Sequence, residues 1–306
     1  MKSIYVLVVT LAVGLMCCLP IFLGPHSLHI VILTLISLIV ATSWNILLLT
    51  HQISLGHAGF FGVGAYTCGA LCEKFMPIVP LDILVGGIIA ALFAVILGVI
   101  CCRMTVWAIA IVTLAFAEVL KVLVIMVPSI ADGAEGIRVP PIFGGVGYEK
   151  IACFYLVLFV SLLSLTCAYA IRKSKLYYAF AAVHDDEEAA GMLGVNPLKF
   201  KIIAFSVSAF MTGVAGGIFA HYISFIDPYT VFGLHISLDA QIMPLVGGLY
   251  TILGPVIGSF VLTSAGEVFR IYFGSGYLIA YGCILVAFVL FLPEGIVGWA
   301  QRLARR

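Results

Sequence analysis

Long apolar runs separated by short polar interruptions dominate the chain. Ten can be delimited, near 4–23, 27–49, 52–72, 81–101, 104–127, 152–171, 202–224, 236–250, 251–270 and 276–292. About twenty apolar residues in a helix cover the ~30 Å of a bilayer's hydrocarbon. In that medium each backbone amide needs a partner, so the runs predict helices. Polar and apolar positions do not alternate within them, which argues against a β-barrel. The runs at 52–72, 236–250 and 251–270 are short or broken by glycine, and some are expected to be half-helices. The pattern predicts an all-α integral membrane protein: a polytopic helical bundle of about 8–10 transmembrane segments, with residues 1–306 as one transmembrane domain.

Composition points the same way. Apolar residues make up 63 % and charged residues 9 %, against about 25 % charged in soluble domains. Residues 1–24 carry Lys2, a long apolar stretch and Pro20 but no evident small-x-small cleavage site. They are read as a retained first helix rather than a signal peptide. Basic residues set the orientation. Arg172, Lys173, Lys175, Lys199 and Lys201 flank 172–201, and Arg302, Arg305 and Arg306 crowd the C-terminus. Four runs separate these regions, so both can be cytoplasmic. The same counting puts Lys2 and Arg103 inside, Lys74 and 128–151 outside, and both termini in the cytoplasm. The net charge of +1 implies no nucleic-acid partner.

The sequence lacks the usual marks of catalysis. G-x-x-x-x-G-K-[ST], G-x-S-x-G and H-E-x-x-H do not occur. The nine cysteines fall mostly within apolar runs, and no Cys/His cluster has metal-ligand spacing along the chain. Neither a cofactor nor a metal is expected. Glu118, followed by Lys121, reads as a neutralised pair at i,i+3. Asp239, Gln241, Glu267 and Arg270 sit near predicted segment ends.

The stretch HDDEEAAGMLGVNPLKFK, 184–201, does not belong in a membrane. Asp185 and Glu188 fit a capping box that starts a short helix. Gly194 fits a left-handed stop, and Asn196-Pro197 the cap and first position of the next helix. The short helix places Ala189 and Ala190 beside Met192 and Leu193. It is either a solvated connector or a helix that docks in a partner's groove.

At this point the residues resemble a known family. Glu188-Ala189-Ala190-x-x-x-Gly194 matches the EAA loop of ABC-importer permeases. NILLLTHQISLGHAGFFGVGAYTCGAL, AIVTLAFAEVL with DGAEGI, and the segments from 184 to 228 and 246 to 263 resemble branched-chain amino-acid permeases of the LivM type. The chain departs from that pattern at His51, where glycine is usual, and at Tyr178, Ala181 and His184, where basic residues are usual. The resemblance implies a bacterial inner-membrane permease subunit, not itself an enzyme. It implies a second, related permease chain, two cytoplasmic ATPases and a periplasmic substrate-binding protein as partners. It makes 184–200 the coupling loop, with Asp185, Asp186, Glu187, Glu188, Ala189, Ala190 and Gly194 as its ATPase-facing residues. Branched-chain or other apolar amino acids are the expected substrates, urea or short-chain amides the alternative. An ATP-independent channel or secondary carrier is the alternative from another class.

The glycine-rich stretch 50–71 then has two readings. Gly56, Gly59, Gly62, Gly64 and Gly69 allow tight helix packing. They also allow a broken helix whose freed amides face a substrate path. On the second reading Asn45, Ser54, Gly56, His57 and Gly59 line the path.

Overall fold

The computed structural model describes residues 14, 16–20, 22–74, 79–101, 104–127, 133–143, 149–273, 282, 286, 290 and 295–305. The expected segments at 4–23 and 276–292, with Lys2 and Arg103, fall largely or wholly outside them. Among the described residues five helices are long and apolar enough to cross a membrane. They are α1 (Pro25–Leu48), α3 (Val79–Cys101), α4 (Val106–Met126), α5 (Glu149–Lys173) and α8 (Pro197–Ile223). Between and after them lie α2 (His57–Lys74), α6 (Lys175–Asp185), α7 (Glu187–Met192), α9 (Pro228–Val231), α10 (Leu234–Gly247), α11 (Leu253–Phe273) and α12 (Gly295–Arg305). The only strands among the described residues are two-residue antiparallel β1 (Ile137–Arg138) and β2 (Phe225–Ile226). The chain is a polytopic helical membrane protein.

α8 is the hub, packed on α3, α2 and α1. Small residues make this possible. A side chain at Gly64 of α2 would run into the backbone carbonyl of Gly213 on α8, and one at Gly213 would meet Ala90 Cβ of α3 at 2.6 Å. Without a hydrophobic force between helices in lipid, such backbone approach is a main source of association. α1 is buried almost without interruption from Ile32 to Leu48. α3, α4 and α5 each bury one stripe and expose another. On α3 the exposed side carries Leu84, Ile88, Leu92, Ile96 and Val99, spaced three or four residues apart as one helix face requires. That apolar face is lipid-facing in a membrane.

Two expected segments differ from the runs that suggested them. The run 52–72 starts its helix only at His57, because 52–56 is non-helical. The run 236–250 yields a helix of 14 residues, about 21 Å long and too short for ~30 Å of hydrocarbon. The preceding chain covers the remaining depth. Ile226, Val231 and Phe232 are fully buried, and Phe232 packs against Gly62 and Tyr66 in the middle of α2. Irregular backbone at this depth is tolerable because protein, not lipid, surrounds it. α12 was not expected from the apolar runs. It packs on α10 and α11 with Gly295 at φ +71°.

Candidate functional site

The acidic segment is built by a chain of caps. Ser174 Oγ accepts from Leu176 N at 3.2 Å and starts α6. α6 continues through Asp185, so the capping box read at Asp185 and Glu188 is not formed. Asp186 takes the cap instead: its backbone is extended, φ −159°. Its Oδ1 accepts from Glu188 N at 2.9 Å and Ala189 N at 3.0 Å. The helix α7 ends as the sequence predicts, with Gly194 at φ +85°. Val195 N donates to Ala190 O at 3.0 Å and Gly194 N to Gly191 O at 3.1 Å, the paired bonds of a Schellman stop. Asn196 Oδ1 accepts from Lys199 N at 3.2 Å, and Pro197 opens α8.

The result is a short helix held at both ends and free on one side. Ala190 is buried, whereas Met192 and Leu193 are 84 % and 83 % exposed. Glu187 forms an ion pair with Lys201, whose side chain is only 3 % exposed. That pair ties α7 to the hub helix. On the other side His184 stacks on His51 with ring centroids 4.6 Å apart, and Tyr250 meets His184 edge-on at 5.4 Å. His51 Nδ1 donates to the His184 carbonyl at 3.3 Å. Burial, then the His51 ring, holds His184 below its ordinary value, against the opposing pull of Asp185. The two sequence departures at 51 and 184 are therefore one contact. The C-terminal end of α6, just before α7, touches the α1–α2 turn and the α10–α11 turn together.

The residues expected along the path meet mostly protein. Asn45 Nδ2 donates to Thr251 O at 2.8 Å and its Oδ1 accepts from Tyr250 N at 3.1 Å, bracing the turn that meets His184. Ser54 O accepts from Trp44 Nε1 at 3.1 Å, and Ser54 Oγ accepts from Gly56 N at 3.1 Å. His57 Nε2 lies 2.9 Å from Ser208 Oγ. A side chain at Gly56 would meet the Thr113 carbonyl at 2.8 Å, and one at Gly59 would meet Ala117 Cα at 3.1 Å. The amides freed before α2 are also satisfied, Leu55 N by Thr113 Oγ1 at 3.0 Å and Ala58 N by Ser237 Oγ at 2.9 Å. Trp44, Thr113, Ser208, Ser237 and Tyr250 thus complete this junction, and sequence reading missed them. A hydroxyl in an apolar helix carries no signal of which distant segment it serves.

A cavity of about 500 Å³ lies elsewhere, between α1, α10 and α11. Val40, Phe61, Ile236, Ile242, Met243 and Leu262 supply apolar wall, while Ser37, Thr230, His235, Asp239, Thr263 and Glu267 bring polar groups. Asn45, Ser54, Gly56, His57 and Gly59 are not among its lining residues. Asp239 and Glu267, read as segment-end residues, stand within helices and line it. Thr263 Oγ1 is buried with no hydrogen-bond partner among the described residues. Such a cavity, apolar with a few polar groups, is the usual form of a small-molecule site. Glu118 and Lys121 form the expected i,i+3 ion pair.

The model of the family described as branched-chain amino acid transport system / permease component matches residues 27–292. The chain is 27 % identical to the high-affinity branched-chain amino acid transport system permease protein LivM of Salmonella typhimurium, over 91 % of this chain and 71 % of that protein. It is 27 % identical to the LivH protein of the same kind of system in Escherichia coli K12, over 56 % and 58 %. It is also 27 % identical to the autoinducer 2 import system permease protein LsrC of Salmonella typhi, over 82 % and 75 %. No solved structure matches.

Proposed function

The chain belongs to the permease-component family of branched-chain amino acid transport systems, and from that premise we propose that it carries branched-chain or other apolar amino acids across the bacterial inner membrane. It is a multi-pass membrane subunit of an ABC importer. On our reading residues 1–306 form one permease domain, with 184–200 and both termini on the cytoplasmic side. It pairs with a second, related permease, takes substrate from a periplasmic binding protein and is driven by two cytoplasmic ATPases. The similarity to both LivM and LivH proteins supports the pairing.

The observation that carries the coupling role is the capped α7 with Met192 and Leu193 outward and Glu187 tied to buried Lys201. Two large exposed apolar side chains on a polar loop suit a groove in a soluble partner. A push on α7 would pass through Lys201 into α8, and through His184 into the turns at 51 and 250. Asp185, Asp186, Glu188, Ala189, Ala190 and Gly194 then shape and present that helix. The binding step belongs to the 500 Å³ cavity. Its apolar wall suits an aliphatic side chain, and Thr263 Oγ1 with the neighbouring polar groups suits an amino-acid head. On this reading Asn45, Ser54, Gly56, His57 and Gly59 contribute to the path as the packed hinge between coupling segment and cavity.

The deciding experiment reconstitutes the chain with its co-purifying subunits in liposomes and measures uptake of labelled leucine and urea side by side, with and without ATP. Leucine uptake that disappears without ATP is expected. Urea uptake alone would overturn the substrate, and flux of either without ATP would overturn the coupling role.

A further inference from the structure

Three side chains far apart in sequence meet at the Ile223 end of the hub helix. Cys72 stands near the C-terminus of α2, Asp82 in the first turn of α3 and His221 in the last turn of α8. One ligand atom from each lies within 4.8 Å of the others. Cys72 Sγ donates to Asp82 Oδ2 at 3.5 Å. Asp82 is 6 % exposed and His221 fully buried.

The histidine is held in a particular way. Its Nδ1 lies 2.9 Å from the carbonyl oxygen of Pro140. A carbonyl only accepts, so Nδ1 carries the proton and Nε2 presents a lone pair. Nε2 is buried and has no hydrogen-bond partner among the described residues. A buried polar atom left unmet costs about 1–3 kcal/mol, a cost that a ligand at Nε2 would remove. A carbonyl holding the far N–H of an imidazole is also the arrangement that orients metal-bound histidines.

We propose that Cys72, Asp82 and His221 form a binding site for a divalent ion of the zinc class. Thiolate, imidazole and carboxylate are the ligand types zinc takes, usually with tetrahedral geometry. Calcium and magnesium take oxygen ligands and would not suit a thiol. Zinc bonds of about 2.0–2.3 Å place tetrahedral ligand pairs roughly 3.3–3.8 Å apart. The Cys72–Asp82 pair, at 3.5 Å, already has that separation. Closing the rest from 4.8 Å takes side-chain shifts of about 1 Å. On binding, Cys72 gives up its thiol proton to water, and the sulfur lone pair so freed bonds the ion. His221 binds through the Nε2 lone pair without losing a proton. Three protein ligands leave a fourth position for water.

The consequence is mechanical. The ion clamps α2, α3 and α8 at one end and, through Pro140, fixes the segment that carries β1. β1 pairs with β2 immediately after α8. An occupied site therefore stiffens the end of the bundle opposite the coupling segment.

The test uses the full chain in lipid nanodiscs with its co-purifying subunits. The preparation is stripped with a chelator, then loaded with Zn²⁺ or with Co²⁺ as a spectroscopic probe. Bound metal is counted after desalting, and the thiolate-to-cobalt absorption is recorded. We expect one ion per chain, a cobalt–thiolate band, and a melting temperature raised by Zn²⁺. Cys72→Ser should abolish the band and the Zn²⁺-induced stabilisation, while Cys167→Ser keeps both. His221→Gln should weaken Zn²⁺ by more than the about 10–100-fold lost when only a ligand's hydrogen-bond partner is removed. If His221→Gln does not fold, Cys72→Ser decides alone, since it changes one half-buried atom. Substoichiometric zinc without a thiolate band, or a band that survives Cys72→Ser, overturns the site.

Discussion

His184 shows how a single side chain can connect three segments. It stacks on His51, receives Tyr250 edge-on and sits immediately before the acidic run. Its protonation affinity is lowered by burial and by His51 from an ordinary value of 6.5. The sign follows directly. Above about 6.5 the ring is neutral whether packed or released, so pH has no leverage. As pH falls below that value the released ring takes up the proton more readily than the packed one, and the contact loses stability. ATP-driven uptake is therefore expected to decline between pH 7.5 and 5.5 more steeply in the native chain than in His184→Gln, measured as paired pH profiles. Parallel profiles would remove His184 from the coupling path. Asn45 is a second case at this scale. Asn45→Ala removes two hydrogen bonds that brace Tyr250 and Thr251 and leaves their backbone groups unmet, at a cost of about 1–3 kcal/mol. The expected result is a lower melting temperature together with weaker coupling. A change confined to the KM for substrate, with unchanged melting, would make Asn45 a substrate contact and not a brace.

At the scale of elements, much of α7 and its surroundings could be read from sequence. Gly194, Asn196 and Pro197 announce their roles because caps are local: donor and acceptor lie within five residues. The one-residue error at the N-terminus, Asp185 for Asp186, has the same root. Four consecutive acids offer several caps, and only the length of α6 selects among them. The tie to Lys201 was not legible, since a lysine beside an apolar run reads equally well as an orientation signal. The hydroxyl partners of the 52–58 connection were hidden too, being supplied by α4, α8 and α10. Two predictions belong here. Met192→Asp with Leu193→Asp puts charge on the exposed C-terminal end of α7 and removes none of its capping bonds, which come from Asp186 Oδ1 and from backbone groups. Transport should fall at least about tenfold, the loss of ~1.4 kcal/mol of docking, with the amount of subunit in the membrane unchanged on immunoblots. Gly64→Leu drives a side chain into the Gly213 carbonyl at a crossing where neither backbone can yield. Overpacking of this kind costs about 1–3 kcal/mol or more, so the variant should fail to accumulate as a folded protein by fluorescence size-exclusion chromatography. Normal accumulation would mean that α2 and α8 cross elsewhere.

For the whole molecule, the apolar runs led to the fold because a bilayer constrains both length and composition, and five described helices satisfy both limits. The runs could not locate the cavity. It lies beside α10, which is too short to span, and the buried chain before α10 packs on α2 and α4, a feature of depth and not of local pattern. Its lining mixes residues from α1, α2, α8, α10 and α11, so no single stretch of sequence announces it. If the cavity holds the substrate's side chain, its size must set a gradient among substrates. Thr263→Phe adds a ring on the α11 wall and removes the hydroxyl buried there, which has no partner among the described residues. Each lost contact with an aliphatic group is worth about 0.8 kcal/mol per methylene. Uptake of leucine should therefore fall most, valine less and alanine least, while ATP hydrolysis stimulated by the assembled partners persists. Thr263→Val keeps the volume and removes only the hydroxyl, so it should raise KM for all three to a similar extent. Equal losses for leucine, valine and alanine in Thr263→Phe would place the side-chain pocket away from α11. In that outcome the packed junction of Ser54, His57 and Ser208 would become the better candidate for the path.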